Sequence, residues 1–398
     1  MPVSDDMVVR VAGRGEGVTG DGRHVPFTAP GDIVGADGVV TPGPHHHAPP
    51  CRHFPECGGC QLQHLDDASW SQYIVDRIAG ALAAHSLETE IRAPLLSPPR
   101  TRRRATLHAE RRGRQVHLGF TGQGSHQIID LQECHILAPD LFALLSPLRG
   151  LLAALLPNTR RINVHVARTN QGRDVLIDGL DAEGLAAAEA LTAFAGRHKL
   201  ARLSIDEGFG PTARWEPEPV TVTLGGVAVP FPAGNFLQAT SEGEAALVSA
   251  VHEIAADAGT VADLFAGLGT FTFAFPAAKV YAAEAARDSI LSLKAAAAHA
   301  GRPVFADHRD LFRRPVSSVD LGNFGAVILD PPRAGAKEQV AEIAGSRAPL
   351  VAYVSCNPGT FARDAEILCK HGYRLDWIQP VGQFRWSTHV ELAARFSR

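Results

Sequence analysis

The chain has 398 residues, a formal net charge of −4 and a hydrophobic content of 45%. This length suggests two or three domains with substantial cores, and the charge argues against a protein that coats nucleic acid by charge alone. No apolar run approaches the roughly 20 residues that cross a bilayer, and the first residues lack the basic-then-apolar layout of a signal peptide, so we expect a cytoplasmic protein with no membrane partner.

Residues 1–50 alternate short apolar runs with glycine, a pattern that predicts a small antiparallel β-module. The turn-rich connector TPGPHHHAPP follows, with consecutive histidines His45, His46 and His47. They are either metal ligands or part of a solvated loop. Since consecutive side chains do not easily converge on one ion, the solvated loop is favoured.

The stretch CRHFPECGGCQLQH contains Cys51, Cys57 and Cys60, three of the six cysteines of the chain. Such a group is a disulfide staple, a metal site or a set of idle thiols. Because the cytoplasm keeps thiols reduced, closely spaced cysteines there are more often metal ligands or catalytic groups than structural disulfides.

The next segments predict a central α+β region within residues 51–235. Trp70, Ile74, Ile78 and Leu82 have helical spacing, with Asp66 or Asp67 available as N-cap. Between 101 and 235, strand-like runs surround one Ala-rich helix near 182–197.

An arginine-rich run, RTRRRATLHAERRGR, occupies residues 100–114 of this region on a predicted hairpin. It contains seven arginines and one acid, Glu110. Arginine forks bind phosphate bidentately, so the run either holds an RNA backbone or forms a solvated charged strand pair. The sequence leaves both interpretations open.

After Ser241, strands alternate regularly with helices, and the chain closes with the strands YRLDWIQPV and HVELAARF. Alternation of this kind predicts an α/β domain with a mainly parallel sheet covered by helices on both faces. We expect about seven strands within residues 236–398.

A glycine-rich turn, DLFAGLGTF, follows the first strand of this domain. Gly267 and Gly269 permit a tight turn and close approach of a ligand, and Glu284 ends the second strand, where an acid binds ribose hydroxyls. Nicotinamide dinucleotides and S-adenosylmethionine both fit this spacing. The missing third glycine of the dinucleotide fingerprint favours S-adenosylmethionine.

Three further motifs end or begin strands of the same sheet. DPPR places Asp330 at a strand end, either as a plain turn or, as the neighbouring glycine loop favours, in a binding role. SCNP places Cys356 before a helix, whose dipole favours the thiolate. HVE brings the carboxylate of Glu391 to the same region, whereas Cys369, inside a helix, is expected to be a buried structural thiol.

A thiol, a carboxylate and a methyl donor site together fit one reaction, the methylation of carbon 5 of uracil. This carbon is a poor nucleophile until a thiolate adds to carbon 6, and a base must afterwards remove the hydrogen from carbon 5. The alternative, methylation of an amino group, needs no thiol. Enzymes of that kind usually have an aromatic residue where this chain has Arg333.

The motifs DLFAGLGTF, DPPR, SCNP and HVE occur in this order along the chain. By these motifs, nearly the whole chain resembles the RNA uracil-5-methyltransferases. The resemblance implies a class I, Rossmann-like methyltransferase domain over 236–398, a central domain over 51–235, and an OB-like (TRAM) RNA-binding module over 1–50. It also implies that Cys356 is the nucleophile and Glu391 the base. The segment FPAGNFLQ ends in Gln238, which the resemblance places in the cofactor pocket. The other implied residues of this pocket are Phe265, Thr270, Glu284 and Asp330, with Asp310 as a further member.

The pattern C-x5-C-G-x-C, with Cys134 further along, resembles the iron–sulfur ligand set of the ribosomal-RNA branch of this family. It implies a 4Fe-4S cluster held by Cys51, Cys57, Cys60 and Cys134, in a different domain from Cys356, and 23S ribosomal RNA as the partner. Four thiolates also suit zinc, and the spacing does not choose. We expect a monomer.

The segment GQFRWST, before HVE, departs from the family pattern, which has an acid near Gly382 and a proline at Arg385. The departure motivates a second hypothesis, a catalytically silent RNA-binding scaffold. A transfer RNA uracil-5-methyltransferase is the alternative within the same chemistry.

Overall fold

A computed structural model describes residues 5–398. Its N-terminal part contains antiparallel strands, as the glycine-punctuated pattern predicts. A three-stranded sheet has the order β1-β2-β3, and β4 pairs with β5 in a hairpin. The strands are β1 Val8–Val11, β2 Gly17–Thr19, β3 His24–Val25, β4 Ile33–Val34 and β5 Val40–Thr41. The likeness of the 1–50 module to an OB-like barrel stays a prediction, and its first four residues lie outside the described range.

The first helix, α1, spans Asp67–Ala83, and the side chain of Asp66 caps it by accepting from the backbone N–H of Ser69. The predicted apolar stripe is buried. It packs into the core of the C-terminal sheet, and the short strands β6 (Glu90–Ile91) and β7 (Leu95–Leu96) join the same sheet. The predicted 51–235 segment therefore contributes to the core of the C-terminal sheet as well as to cores of its own, because the apolar stripe of α1 packs on the C-terminal sheet.

The second core of this segment lies under a six-stranded sheet of order β13-β12-β11-β10-β8-β9, with helices packed on one face. This arrangement confirms the α+β pattern, and the hairpin β8–β9 carries the arginine-rich run. The elements are β8 Arg104–Arg112, β9 Gln115–Gly119, α2 Pro139–Phe142, α3 Leu145–Leu155, β10 Arg161–Thr169, β11 Gly172–Asp178, α4 Leu185–Arg197, β12 Leu200–Asp206 and β13 Thr212–Trp215. A hairpin of β14 (Thr221–Leu224) and β15 (Val227–Pro230) follows.

The C-terminal sheet contains the seven predicted strands, in the order β18-β17-β16-β19-β20-β22-β21, extended at its edge by β6 and β7. Strands β16 to β20 are parallel, and β22 runs antiparallel between β20 and β21. The strands are β16 Thr260–Leu264, β17 Lys279–Glu284, β18 Val304–His308, β19 Ala326–Leu329, β20 Leu350–Ser355, β21 Arg374–Gly382 and β22 Glu391–Ser397.

Helices cover both faces of this sheet, which explains why its central strands are apolar at every position. In β19, Val327 and Leu329 face the layer that includes α1, whereas Ala326 and Ile328 face the layer that includes α5. The helices are α5 Ser241–Ala255, α6 Arg287–His299, α7 Ser318–Leu321, α8 Lys337–Gly345 and α9 Pro358–Lys370. Within the described residues, no helix combines the length and apolarity needed to span a bilayer.

Candidate functional site

The loop after β16 has the tight geometry that its glycines predict. Phe265, Gly267 and Gly269 have φ values of 63°, 55° and 97°, in the left-handed region that glycine adopts most readily. A Cβ atom on Gly269 would lie 2.7 Å from the Phe273 ring, so the second glycine is also required by packing. Thr270 follows in the same loop and is half-buried.

Glu284, at the end of β17, is fixed by this loop. Its Oε2 accepts a hydrogen bond from the Gly267 backbone N–H at 2.9 Å, and its Oε1 accepts from the Ala286 N–H at 2.7 Å. Strands β16 and β17 are parallel neighbours. The predicted pairing of the glycine turn with this acid is therefore present.

Two further carboxyl groups lie close to Glu284. Asp263 accepts a hydrogen bond from the Thr272 hydroxyl at 2.5 Å through Oδ2, while Oδ1 is buried with no hydrogen-bond partner among the described residues. Burial raises the pKa of Asp263 to about 7, and burial together with the charges of Asp263 and Glu284 raises the pKa of Asp330 to about 7. Three acids around one loop create a strong preference for a cationic ligand.

Asp310 lies two residues beyond β18, toward the rim of this loop. Its carboxylate accepts from the backbone N–H of Phe312 at 3.0 Å and pairs with Arg313 at 3.4 Å. The Phe312 ring packs 5.4 Å from that of Phe265, an aromatic contact that the sequence motifs do not reveal. Asp310 therefore shapes the segment that brings Phe312 to the loop.

Cys356 follows β20 directly, in a turn tied to the DPPR segment. Asn357 caps α9 by accepting from the Gly359 N–H at 3.1 Å, and its side-chain amide donates to the Arg333 carbonyl at 3.0 Å. Because Ser355 pairs with Leu392 in neighbouring antiparallel strands, the next positions, Cys356 and Glu391, are adjacent across the strands.

The pKa of the Cys356 thiol is raised, whereas the helix dipole was expected to favour the thiolate. Burial, followed by the negative charges of Glu391 and Asp330, raises the pKa of this thiol to about 11, and Arg333 offsets only part of the rise. The helix begins two residues later, at Pro358. Burial and the neighbouring carboxyl groups therefore favour the free thiol, against the expected preference for the thiolate.

Glu391 opens β22 and is 4% exposed. Burial and then the charge of Asp330 raise the pKa of Glu391 to about 8, while a hydrogen bond from Gln383 lowers it. The amide of Gln383 donates to Glu391 at 3.0 Å and to the buried Gln238 at 2.8 Å. Gln383, which the sequence motifs do not identify, thus joins a predicted cofactor residue to the predicted base.

The rim around Cys356 and Glu391 is basic and aromatic. Arg333 lies 3.4 Å from the His389 ring nitrogen, and the Phe384 ring packs 5.8 Å from the His389 ring. The Arg102 guanidinium lies over the Phe384 ring. Nearby, Phe236 is 57% exposed over the Arg104 guanidinium at 4.2 Å. Exposed aromatic rings beside arginine are suited to stacking on unpaired bases.

The arginine-rich run divides between two environments. Arg102, Arg103 and Arg104 point toward the C-terminal domain: Arg103 forms an ion pair with Glu244, and Arg104 hydrogen-bonds the Leu237 carbonyl. The outer residues Arg112 and Arg114 are exposed. The exposed outer residues agree with a solvated charged strand pair, and the contacts of Arg103 and Arg104 with the C-terminal domain are a third role that the sequence did not predict. Binding of an RNA backbone stays a prediction.

Cys51, Cys57, Cys60 and Cys134 line one cavity, together with Phe120 and Ile136. All are free thiols, so the disulfide staple is absent. Burial raises the pKa of Cys57 to about 11 and that of Cys60 to about 12. Among residues 5–398, no group of three or more His, Cys, Asp or Glu side chains has a geometry that could hold a metal ion.

The cysteine cavity lies against the loop that precedes Glu391, although the cysteines were expected to sit in a different domain from Cys356. Cys60 packs with Trp386, whose carbonyl accepts from the backbone N–H groups of Gln61 and Leu62 at 2.8 and 2.9 Å. The two regions thus share a boundary at Trp386.

The three histidines of the connector do not converge on one site. His45 contacts Asp66 at 2.7 Å, and His46 contacts the buried Asp32 at 2.7 Å. Their separate partners agree with the solvated-loop interpretation, in which neighbouring side chains point apart.

Comparison with known proteins places these features in a family. Residues 227–398 match the family described as tRNA (Uracil-5-)-methyltransferase. The chain is 48% identical over 393 residues to an uncharacterized RNA methyltransferase of Zymomonas mobilis, covering 98% of this chain and 99% of that protein. It is 30% identical over 379 residues to the 23S rRNA (uracil(1939)-C(5))-methyltransferase RlmD of Aeromonas salmonicida, covering 90% and 84% of the two chains.

A solved structure has a similar fold. The tRNA (uracil-54, C5)-methyltransferase of Pyrococcus abyssi, in complex with S-adenosyl-L-homocysteine, superimposes with a TM-score of 0.76, covering 98% of each chain at 22% identity. At this identity the likeness establishes the mixed α/β architecture and no more.

Proposed function

The chain belongs to the RNA (uracil-5-)-methyltransferase family, which uses S-adenosylmethionine, and from that premise we propose that it methylates carbon 5 of a uridine in 23S ribosomal RNA through a covalent Cys356 adduct. The observation that carries the proposal is the position of Cys356 and Glu391 at adjacent ends of β20 and β22. A nucleophile and a base on one substrate ring need this proximity.

The acids around the glycine turn fit the cofactor. A buried Asp263 oxygen without a partner, beside Asp330 and Glu284, suits a ligand that carries positive charge. Glu284 keeps acceptor capacity for ribose hydroxyls, and Phe265 and Phe312 offer aromatic surface at the rim. When bound, S-adenosylmethionine supplies the methyl group. Gln238, Thr270 and Asp310 complete the proposed pocket.

The two residues at the strand ends divide the chemistry between them. Cys356, once deprotonated, forms a bond from sulfur to carbon 6, and the electron pair of the 5,6 double bond moves to make carbon 5 nucleophilic. After carbon 5 has taken the methyl group, the Glu391 carboxylate accepts the proton of carbon 5. The sulfur–carbon bond then breaks, which restores the double bond and releases the thiolate.

Ribosomal RNA is the proposed substrate because of the relative that carries this activity and because of the four-cysteine pattern. The exposed Phe236 over Arg104, and the Arg333–His389 pair, provide stacking and phosphate contacts for an unpaired uridine and its neighbours. Transfer RNA remains the second candidate, since the family description names it.

We also propose that Cys51, Cys57, Cys60 and Cys134 hold a 4Fe-4S cluster. The support is chemical: four free thiols border one apolar cavity, as ligation of a cluster by four cysteines requires. Burial raises the pKa values of Cys57 and Cys60, and a bound cation would favour their thiolates.

The activity is tested with labelled S-adenosylmethionine and ribosomal RNA from cells that lack the gene. We expect 5-methyluridine at one or a few uridines, and none when transfer RNA is supplied. RNA containing 5-fluorouridine should trap a covalent complex with the wild-type protein. No 5-methyluridine on any RNA, together with no trapped complex, would support the silent scaffold instead.

The cluster is tested by anaerobic purification. We expect a brown protein with iron and sulfide in near-equal amounts. Stoichiometric zinc without sulfide would refute the cluster and favour the single-ion site.

A further inference from the structure

Gln383 occupies a special position between the two halves of the active site. It follows β21 directly and is 2% exposed. Its Oε1 accepts from the backbone N–H of Ala239 at 2.9 Å, while its Nε2 donates to Gln238 Oε1 and Glu391 Oε2. All the hydrogen-bonding groups of a buried side-chain amide are thus engaged.

The orientation of this amide is fixed by its partners. Because a backbone N–H only donates, the atom facing Ala239 has to be the carbonyl oxygen, and the NH2 group has to face Gln238 and Glu391. Gln238 must then accept through its own oxygen, which leaves its NH2 group for another partner. One backbone contact therefore determines the orientation of two glutamines and one carboxyl group.

Close packing also restricts Gln383. A Cβ atom on Gly243, in the first turn of α5, would lie 2.5 Å from the Gln383 Cβ. The absence of a side chain on Gly243 lets α5 and Gln383 approach closely. Thr240, which caps α5, forms a hydrogen bond between its hydroxyl and that of Ser97 at 2.7 Å. The α5 backbone therefore packs directly against the Gln383 side chain.

We propose that Gln383 is the positioning residue of the methyl transfer: it aims the carboxylate of Glu391 at carbon 5 and couples that aim to the cofactor residue Gln238. This inference rests on the proposed function, since it assigns Glu391 the role of base. In this proposal Gln383 acts through its two side-chain partners, Gln238 and Glu391.

The charges around Glu391 make the contribution of Gln383 measurable. Asp330, on the DPPR turn, and the Cys356 thiol, at the end of β20, face Glu391 from neighbouring elements. Asp330 opposes ionisation of Glu391, and the Gln383 N–H favours it. Loss of this N–H should leave more of the base protonated at neutral pH and should also let the carboxyl group rotate.

The expected consequence is a defect in one step. Cysteine addition and methyl transfer precede proton removal, so the methylated covalent adduct should accumulate when Glu391 is poorly placed. General-base catalysis commonly contributes about 10²–10⁴-fold. For a misplaced but intact base we expect a smaller loss, about 10-fold to 100-fold in kcat.

Gln383→Met tests the proposal, because methionine has a similar length and cannot donate. The matched control is Gln379→Met, since Gln379 is a buried glutamine of β21, the strand that Gln383 follows, and donates to the Ala93 carbonyl. We expect Q383M to lower kcat, with little change in KM for RNA, to shift the acid limb of the pH–rate profile to higher pH, and to accumulate a gel-stable adduct with unmodified RNA. Q379M should show none of these.

Gly243→Ala provides a second variant in case Q383M fails to fold. Its added methyl group keeps the Gln383 amide but displaces it, so an intermediate loss in kcat and partial adduct accumulation are expected. Wild-type kcat and pH profile in Q383M, or a kcat loss without adduct and without a pH shift, would overturn the positioning role. If the wild-type protein itself transfers no methyl group to any RNA, the proposed function fails instead.

Discussion

The cavity cysteines and Cys356 both lie near the loop that precedes Glu391, but the residues that surround them differ. Cys60 has Ile136, Trp386 and the other cavity cysteines around it, and burial raises its pKa to about 12. Cys356 has a carboxyl group on each side and an arginine nearby, and its pKa rises to about 11. Both are weak acids in the resting protein.

This comparison shows that a raised thiol pKa does not by itself indicate a role. In the cysteine cavity, burial opposes the thiolates and a bound cation would stabilise them, so ligation is the chemistry that we propose there. Beside Cys356, a base that accepts a proton and an arginine that lowers the pKa permit covalent chemistry. The surrounding residues, more than burial, distinguish the proposed metal ligands from the proposed nucleophile, Cys356. Variants of the two kinds of cysteine should therefore have different effects.

The largest effect is expected from Cys356→Ala. Without the sulfur no adduct forms, so methyl transfer should fall by at least about 10³-fold. Iron content and Tm should stay unchanged, because Cys356 does not border the cavity. Transfer to RNA is measured with labelled cofactor, and Cys369→Ala, a half-buried thiol of α9 in neither region, is the control. Retained transfer in C356A would favour methylation of an amino group.

Cys60→Ser should produce the opposite pattern. Metal binding energy contributes to folding, and removal of one ligand should lower the Tm by about 5 °C and abolish the bound iron. Because Cys60 packs against Trp386, kcat should fall only moderately, by about 10-fold, through the loop that leads to Glu391. Thermal unfolding and iron analysis measure the effect, with Cys369→Ser as control. Full iron content in C60S would contradict the proposed ligand set.

The architecture of the catalytic edge could be predicted from sequence because its motifs fall at strand ends. Five parallel strands present their carboxyl ends at one edge, and β22, antiparallel to them, presents its first residue there. Local pattern and the rule for parallel sheets therefore bring Glu284, Asp330, Cys356 and Glu391 together. The number of strands follows from the same periodicity, whereas their order in the sheet comes from the structure.

Other features depend on contacts between distant segments, which no local pattern records. One example is the pairing of β6 with β21, which joins residues almost 290 positions apart in the sequence, such as Ile91 and Ile378. Gln383 is an ordinary polar residue in the sequence, and only its three buried partners reveal its position. The pKa of Cys356 likewise depends on its burial and on the charges of Glu391 and Asp330, which come from distant segments of the chain.

A smaller effect is expected on the ionisation of Cys356 in Glu391→Gln. The carboxylate of Glu391 disfavours a thiolate beside it, so its removal should lower the thiol pKa from about 11 by about one unit. The rate of iodoacetamide labelling against pH measures this shift, after subtraction of the rate in C356A. The same substitution should leave the cavity thiols unchanged. A rise in the Cys356 pKa would mean that Glu391 stabilises the thiolate.

The smallest effect concerns Arg385, which stands where the family pattern has proline and connects the two regions. Its guanidinium forms an ion pair with the exposed Asp67 at the start of α1, donates to the Ser97 carbonyl at 3.2 Å, and lies 4.8 Å from the Trp386 ring. Exposed ion pairs contribute about 0–1 kcal/mol, and stacking on tryptophan adds about 0.5–1 kcal/mol.

Arg385→Ala should therefore lower the Tm by about 2 °C and leave kcat nearly unchanged, because the Gln383 contacts to Glu391 do not involve Arg385. Asp67→Asn, which removes only the ion pair, should have almost no effect on Tm. A large loss of kcat in R385A with an unchanged Tm would show that the loop between the cysteine cavity and Glu391 affects the reaction and not only the stability of the protein. The position of Trp386, which touches Cys60 on one side and Arg385 on the other, would then be the physical connection between the two regions.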